Sequence, residues 1–198
     1  MADRVIVFID YQNVHGWARR RFKPVGANPA QGHIDPLRTA RHIVGRRNRP
    51  SDLTQVRVYR GRPNPEHQPG STRANDRQTA EWERSGLVEV IRRNLKYPRD
   101  WPDSPATEKG IDVAIAVDMI RLAHAGAMDV AVLFSSDTDL LPALEALRDL
   151  DLCHVEVACW SKGNRLRYDG TQLPWCHSIS ASQYATLEDP VDYAAMDY

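Results

Sequence analysis

A chain of 198 residues is long enough to bury one sizeable core and short for two, so one domain is expected. With 42% hydrophobic and 26% charged residues its composition is that of an ordinary globular protein, and no stretch nears the roughly 18 apolar residues of a membrane span. The net charge of zero hides a polarity: residues 1–105 carry 20 Lys+Arg against 11 Asp+Glu, and residues 106–198 carry 6 against 15.

The segment "RVIVFID" (4–10) is a continuous apolar run ending in a carboxylate, which predicts a central strand of a parallel sheet. A long Arg- and Pro-containing connection follows. Leu37, Ala40, Ile43 and Val44 then recur at helical spacing in 36–47, behind Asp35 and Pro36 as N-cap and first helical residue. "QVRVYRG" (55–61) alternates like a strand nearer the sheet edge, and 62–71 reads as loop. A helix is predicted over 72–84, a strand over 86–95 and a proline-rich loop over 96–110. After these come a helix at about 111–125, a strand at 129–134, a helix at 139–150 and a strand at 154–160. This alternation predicts an α/β fold, a three-layer α/β/α sandwich around a mainly parallel sheet. The expected organisation is one domain over 1–181 and an acidic tail over 182–198 that packs loosely.

The apolar strands end in acids. Asp10 closes the first strand and Asp137 closes "DVAVLFSSD", with Asp139 entering the helix behind it. In a parallel sheet, sites gather beyond the carboxyl ends of the central strands, so neighbouring strands would aim Asp10 and Asp137 into one crevice. On a helical wheel with Ile111 at zero, Asp118 falls at about −20°, inside the stripe formed by Leu122, Ile115 and Met119, and Asp112 falls at about 100° on its edge. A carboxylate in an apolar stripe needs a cation or hydrogen-bond donors; a salt bridge or a helix cap would serve as well as a metal. A set of such acids supplies hard oxygen ligands suited to Mg²⁺ or Mn²⁺, the equipment of metal-assisted phosphodiester hydrolysis.

"FIDYQNV" (8–14), "EKGIDVAIAVDMI" (108–120) and "VLFSSDTDLLPALEAL" (132–147), in this order, resemble the successive motifs of the NYN domain, a PIN-like family of metal-dependent ribonucleases, in its LabA-like bacterial branch. "VYRGRP" (58–63) and "VEVACWSKGNRLR" (155–167) extend the likeness from about residue 4 to 180. The resemblance implies a PIN-like sheet with Asp10, Asp112, Asp137 and Asp139 as catalytic metal ligands, Asp118 as a further acid, and Asn13 orienting substrate or metal-bound water. It also implies that Ser135 bonds to Asp137 or to phosphate and that Lys109 contacts the scissile phosphate. Ser136 and Leu140 stand where many members have glycine and an aromatic residue, departures that leave the carboxylates intact.

Arginine, 22 of the 26 basic residues, suits phosphate. Arg60 and Arg62, past a strand's carboxyl end, and Arg19 and Arg20, interleaved with Trp17 and Phe22 in "WARRRF", are the candidate RNA contacts. Scattered histidines, His15, His67 and His177 among them, are expected to be structural. Cys153, Cys159 and Cys176 lack CxxC spacing and are expected as reduced thiols. The start, "MADRVIVFID", lacks a signal-peptide pattern, so the chain is expected in the cytoplasm. The leading expectation is a Mg²⁺- or Mn²⁺-dependent endoribonuclease with RNA as partner and a homodimer as a compatible assembly. The alternative is a regulatory RNA- or protein-binding module of the same fold with little turnover. An aspartyl-phosphate enzyme fits poorly, because Asp10 is followed by Gln12 where a second acid would be needed.

Overall fold

A computed structural model describes residues 1–28, 31–168 and 173–195. One sheet of six parallel strands is flanked by helices on both faces, an α/β sandwich with strand order β3-β2-β1-β4-β5-β6. In chain order the elements are β1 (Asp3–Asp10), α1 (Tyr11–Phe22), α2 (Pro36–Val44), β2 (Ser51–Arg62), α3 (Pro69–Glu83), β3 (Val88–Asn94) and α4 (Ile111–His124). They continue with β4 (Val130–Phe134), a single 3-10 turn (Thr138–Leu140), α5 (Leu141–Asp149), β5 (His154–Trp160), β6 (Trp175–Ile179) and α6 (Ala181–Leu187).

Strand alternation divides the core. Val5, Val7 and Ile9 of β1 pack towards α1, α2, α3 and α6, whereas Ile6 and Phe8 pack towards α4 and α5. Asp10 has the parity of Ile6 and Phe8, so its carboxylate emerges on the α4 side. Because β1 lies between β2 and β4 at the centre of the sheet, the carboxyl ends of these strands converge at one edge.

Three elements depart from the sequence expectations. The connection after β1 begins with α1, whose Tyr11, Val14 and Ala18 are buried at helical spacing and whose start is capped by Asp10, accepting from the Asn13 N–H at 3.4 Å. The Arg-rich outer face masks this pattern. A sixth strand, β6, adds to the edge beside β5 through only five residues, too short a run to read by period.

The expected loose tail is the third correction. Ser180 starts α6 with a capping box, Tyr184 and Leu187 are buried in the core on the α1 side, and Tyr193 is buried as well. Asp189 is itself buried, accepting from Trp82 Nε1 at 3.0 Å and from the Tyr193 hydroxyl at 2.8 Å. The acidic residues that suggested a solvated tail thus include one held by internal donors. Residues 196–198 of that segment lie outside the described residues.

Candidate metal centre

Three acids from three elements meet at the carboxyl edge of the sheet. Asp10 ends β1, Asp112 lies in the first turn of α4, and Asp137 follows β4; one oxygen of each lies within 4.8 Å of the others. Ser135 locks two of them. Its Oγ donates to Asp10 Oδ2 at 2.7 Å and accepts from the Asp137 N–H at 3.0 Å. Asn13 braces the same corner, its Oδ1 accepting from the Ser136 N–H at 3.1 Å.

Asp10 is only 4% exposed, and burial pushes its carboxyl up to about 6 against the opposing bonds from Ser135 and Asn13, with the charges of Asp112 and Asp137 adding to the rise. Asp112 is raised as well, first by burial and then by Asp137 and Asp139. Among the described residues no lysine or arginine forms an ion pair with Asp10, Asp112 or Asp137. Uncompensated, converging carboxylates of this kind form a donor set that fits a hard divalent cation such as Mg²⁺ or Mn²⁺.

Other expected site residues lie elsewhere. Asp139 is exposed at the rim, its N–H donating to Asp137 Oδ1 at 3.0 Å, and it stands outside the three-acid group. Asp118 is turned away from that group and accepts from Arg57 Nη2 at 2.7 Å, from the Tyr59 hydroxyl at 3.0 Å and from Arg121 Nη2 at 3.1 Å. Burial alone would raise its carboxyl, but these donors hold it below the usual carboxylate range. Its cation is supplied by the protein, which corrects the expectation of a metal ligand. Replacing Asp118 by Ala or by Leu should cost about 1–3 kcal/mol in chemical denaturation, since Arg57 and Tyr59 lose their shared acceptor. Mn²⁺ affinity should stay at the wild-type level in both variants; a parallel loss of affinity would return Asp118 to the ligand set.

Ser135 is 1% exposed and bonds to Asp10 and to Asp137, the first of its two expected partners, so it positions carboxylates and does not face the crevice as a phosphate contact. Arg62 is paired with Asp76 at 2.8 Å, an acid it shares with Arg92, so it does not face the crevice as a free cation. Arg60 lies on the α1 and α3 side, its guanidinium 4.9 Å from the Tyr11 ring and 5.4 Å from the Trp82 ring. Arg19 donates to the Ala27 carbonyl at 2.7 Å. Arg20 is exposed and stacks 4.5 Å over Trp17. Lys109 is exposed just before α4.

Glu108 was not picked out from the sequence. It sits in the loop before α4 and accepts from the Gly61 N–H at the end of β2 and from the Gln12 side-chain amide at 2.6 Å. Gly61 permits this approach, because a Cβ there would lie 2.8 Å from Glu108 Oε1. Burial raises Glu108 to about 7, with the charges of Asp10 and Asp112 contributing, so it belongs to the same electrostatic neighbourhood. Arg93 was likewise missed. It is exposed and lies against Gly110, the positive-φ residue (74°) that turns the chain into α4. Each gains its place from the folded chain, Glu108 by its charge coupling to Asp10 and Asp112 and Arg93 by its approach to Gly110.

Burial pushes His33 down to about 2, so its ring is neutral, sharing a 2.7 Å hydrogen bond between Nδ1 and the Tyr11 hydroxyl. An unfolded histidine binds a proton near 6.5, so below that pH the unfolded chain takes up the proton and this contribution to stability is lost. Between pH 6 and 5, the wild type should lose about 1.2 kcal/mol of unfolding free energy relative to His33→Asn. Parallel pH profiles for the two proteins would contradict the buried neutral ring.

A parallel α/β sandwich with an acidic cluster at the carboxyl ends of its central strands defines the class. Residues 4–167 match the NYN domain, and the chain belongs to that family. A crystal structure of a protein of unknown function from Vibrio parahaemolyticus is similar, with a TM-score of 0.55 and 17% identity, covering 82% of this chain and 85% of the other; it supports the fold. No curated protein matches the chain. No helix among the described residues is long and apolar enough to cross a membrane.

Proposed function

We propose that the protein is a Mg²⁺- or Mn²⁺-dependent endoribonuclease acting on cytoplasmic RNA, with the cation held by Asp10, Asp112 and Asp137. The observation that carries this is the convergence of those three carboxylates without a protein cation to balance them, in a chain of the NYN domain family. A bound divalent cation would supply an activated water and neutralise charge on the leaving oxygen.

The chain's own residues do the rest. Ser135 and Asn13 hold Asp10 and the Asp137 backbone in register before any ligand arrives, so little reorganisation is needed on binding. Asp139, at the rim, strengthens the negative field that draws a cation in. Lys109 and Arg93, both exposed beside the start of α4, are the cations this reading assigns to the RNA backbone, in preference to the internally engaged Arg60 and Arg62.

The test is cleavage of end-labelled single-stranded and hairpin RNA with Mn²⁺ or Mg²⁺, with EDTA as control. Internal cleavage that needs the metal is expected. RNA binding without any metal-dependent cleavage would favour a regulatory module on the same fold.

A further inference from the structure

Beside the carboxylates, on the α1 and α3 side of the sheet edge, lies a cavity of about 540 Å³. That is within the roughly 300–1,000 Å³ usual for small-molecule sites. It adjoins the acidic cluster through the chain itself: Tyr11 and Gln12 on its wall directly follow Asp10, and Arg60 follows Tyr59, the register partner of Asp10 on β2. Glu108 stands at the junction, lining the cavity while coupled electrostatically to Asp10 and Asp112.

The wall has two features that belong together. The first is aromatic. His15 and His33 stack with centroids 4.3 Å apart and rings 9° from parallel, and Tyr11 lies beside the pair, 5.9 Å from His33 and 6.0 Å from His15, with its ring within 16° of parallel to both. Such a cluster of near-parallel rings offers a platform for another π-system. The second is a surplus of donors. Gln78 is 3% exposed, and its Oε1 accepts from Arg60 Nη1 at 2.5 Å while its Nε2 has no hydrogen-bond partner among the described residues. Arg60 Nε and Arg19 Nε, on the same wall, are also buried without partners among the described residues. Buried donors left unsatisfied each cost about 1–3 kcal/mol, so three around one cavity mark a place for a ligand that brings acceptors.

We propose that this cavity receives one nucleobase of the RNA strand, next to the phosphate presented to Asp10, Asp112 and Asp137; the assignment of the strand as RNA rests on the nuclease reading above. A base supplies what the wall lacks, a flat face to stack and ring nitrogens or carbonyl oxygens as acceptors. A lone phosphate suits it less, because the Arg60 guanidinium is already packed between the Tyr11 and Trp82 rings and donates to Gln78. The pocket would thus choose the base beside the cleaved bond, and buried amide and guanidinium donors would favour bases whose edge presents adjacent acceptors.

The experiment is calorimetric titration of the full chain, in EDTA, with each of the four ribonucleoside 5′-monophosphates, ribose 5-phosphate and inorganic phosphate. At least one nucleotide should bind about tenfold or more tightly than ribose 5-phosphate. Gln78→Leu should remove that preference. Ser71→Trp, a bulky side chain placed at an exposed rim position of α3, should do the same with an unchanged melting temperature. Equal binding of ribose 5-phosphate or phosphate, no nucleotide binding, or full affinity in folded Ser71→Trp would each overturn the proposal. EDTA removes any dependence on metal: nucleotide selectivity without Mn²⁺ binding or cleavage overturns the nuclease reading alone, and the converse overturns the base pocket alone.

Discussion

Asp10→Asn should abolish Mn²⁺ binding and RNA cleavage while making the metal-free protein more stable. The substitution removes one of three converging ligands, and since altering the residues that merely support metal ligands costs about 10–100-fold in affinity, losing a ligand should cost at least the upper figure. The gain in stability follows from the same geometry. Asp10 is almost fully buried, and its charge faces those of Asp112 and Asp137 with no lysine or arginine paired to any of the three among the described residues. A neutral amide of the same shape relieves the burial cost and that repulsion; its single oxygen can still serve the Ser135 hydroxyl while the longer cap bond from the Asn13 N–H is given up, for a net gain of about 1–2 kcal/mol. Calorimetric titration with Mn²⁺ and thermal melting in EDTA read the two effects separately. Lower affinity with lower stability would make Asp10 a structural residue.

Trp160→Ala should be the most damaging core substitution, costing about 3–5 kcal/mol. Trp160 ends β5 on the α1 side, 2% exposed, packed edge-on against Phe22 of α1, Phe134 of β4 and Tyr184 of α6 at centroid distances of 5.3, 5.0 and 5.6 Å. Its Nε1 donates to the Val14 carbonyl at 3.0 Å, tying β5 to α1. One indole thus joins both layers on that face and the C-terminal helix, and none of these neighbours can collapse into the gap without leaving another. For a chain of this size the loss lowers the melting temperature by on the order of 10 °C. Because Trp160 sits on the face away from α4, the folded variant should keep its Mn²⁺ affinity. A shift of only a degree or two would show that α6 does not depend on this contact.

The strands that position the acids were legible because both faces of β1 and β4 are covered, leaving continuous apolar runs that end in Asp10 and, three residues past β4, in Asp137. The wheel for α4 correctly marked Asp118 as needing a partner, but the partner is Arg57 on β2, 61 residues away, and no local spacing carries that information. Ser135 and Asn13 were visible as motif residues, yet their bonds to Asp10, Asp137 and Ser136 depend on strands and helices meeting in three dimensions. Glu108 was hidden in a proline-rich loop and gains meaning only because Gly61 lets it reach the β2 backbone. The C-terminal acids misled for a related reason: charge suggests solvent, and Asp189 is buried by donors that lie more than a hundred residues earlier and four residues later.

Anomalous diffraction from crystals soaked in Mn²⁺ addresses the carboxylate cluster most directly. A peak about 2.0–2.3 Å from oxygens of Asp10, Asp112 and Asp137 is the predicted result. Crystals at neutral pH and high Mn²⁺ with no peak there, and with the three side chains turned to lysine or arginine partners, would contradict it.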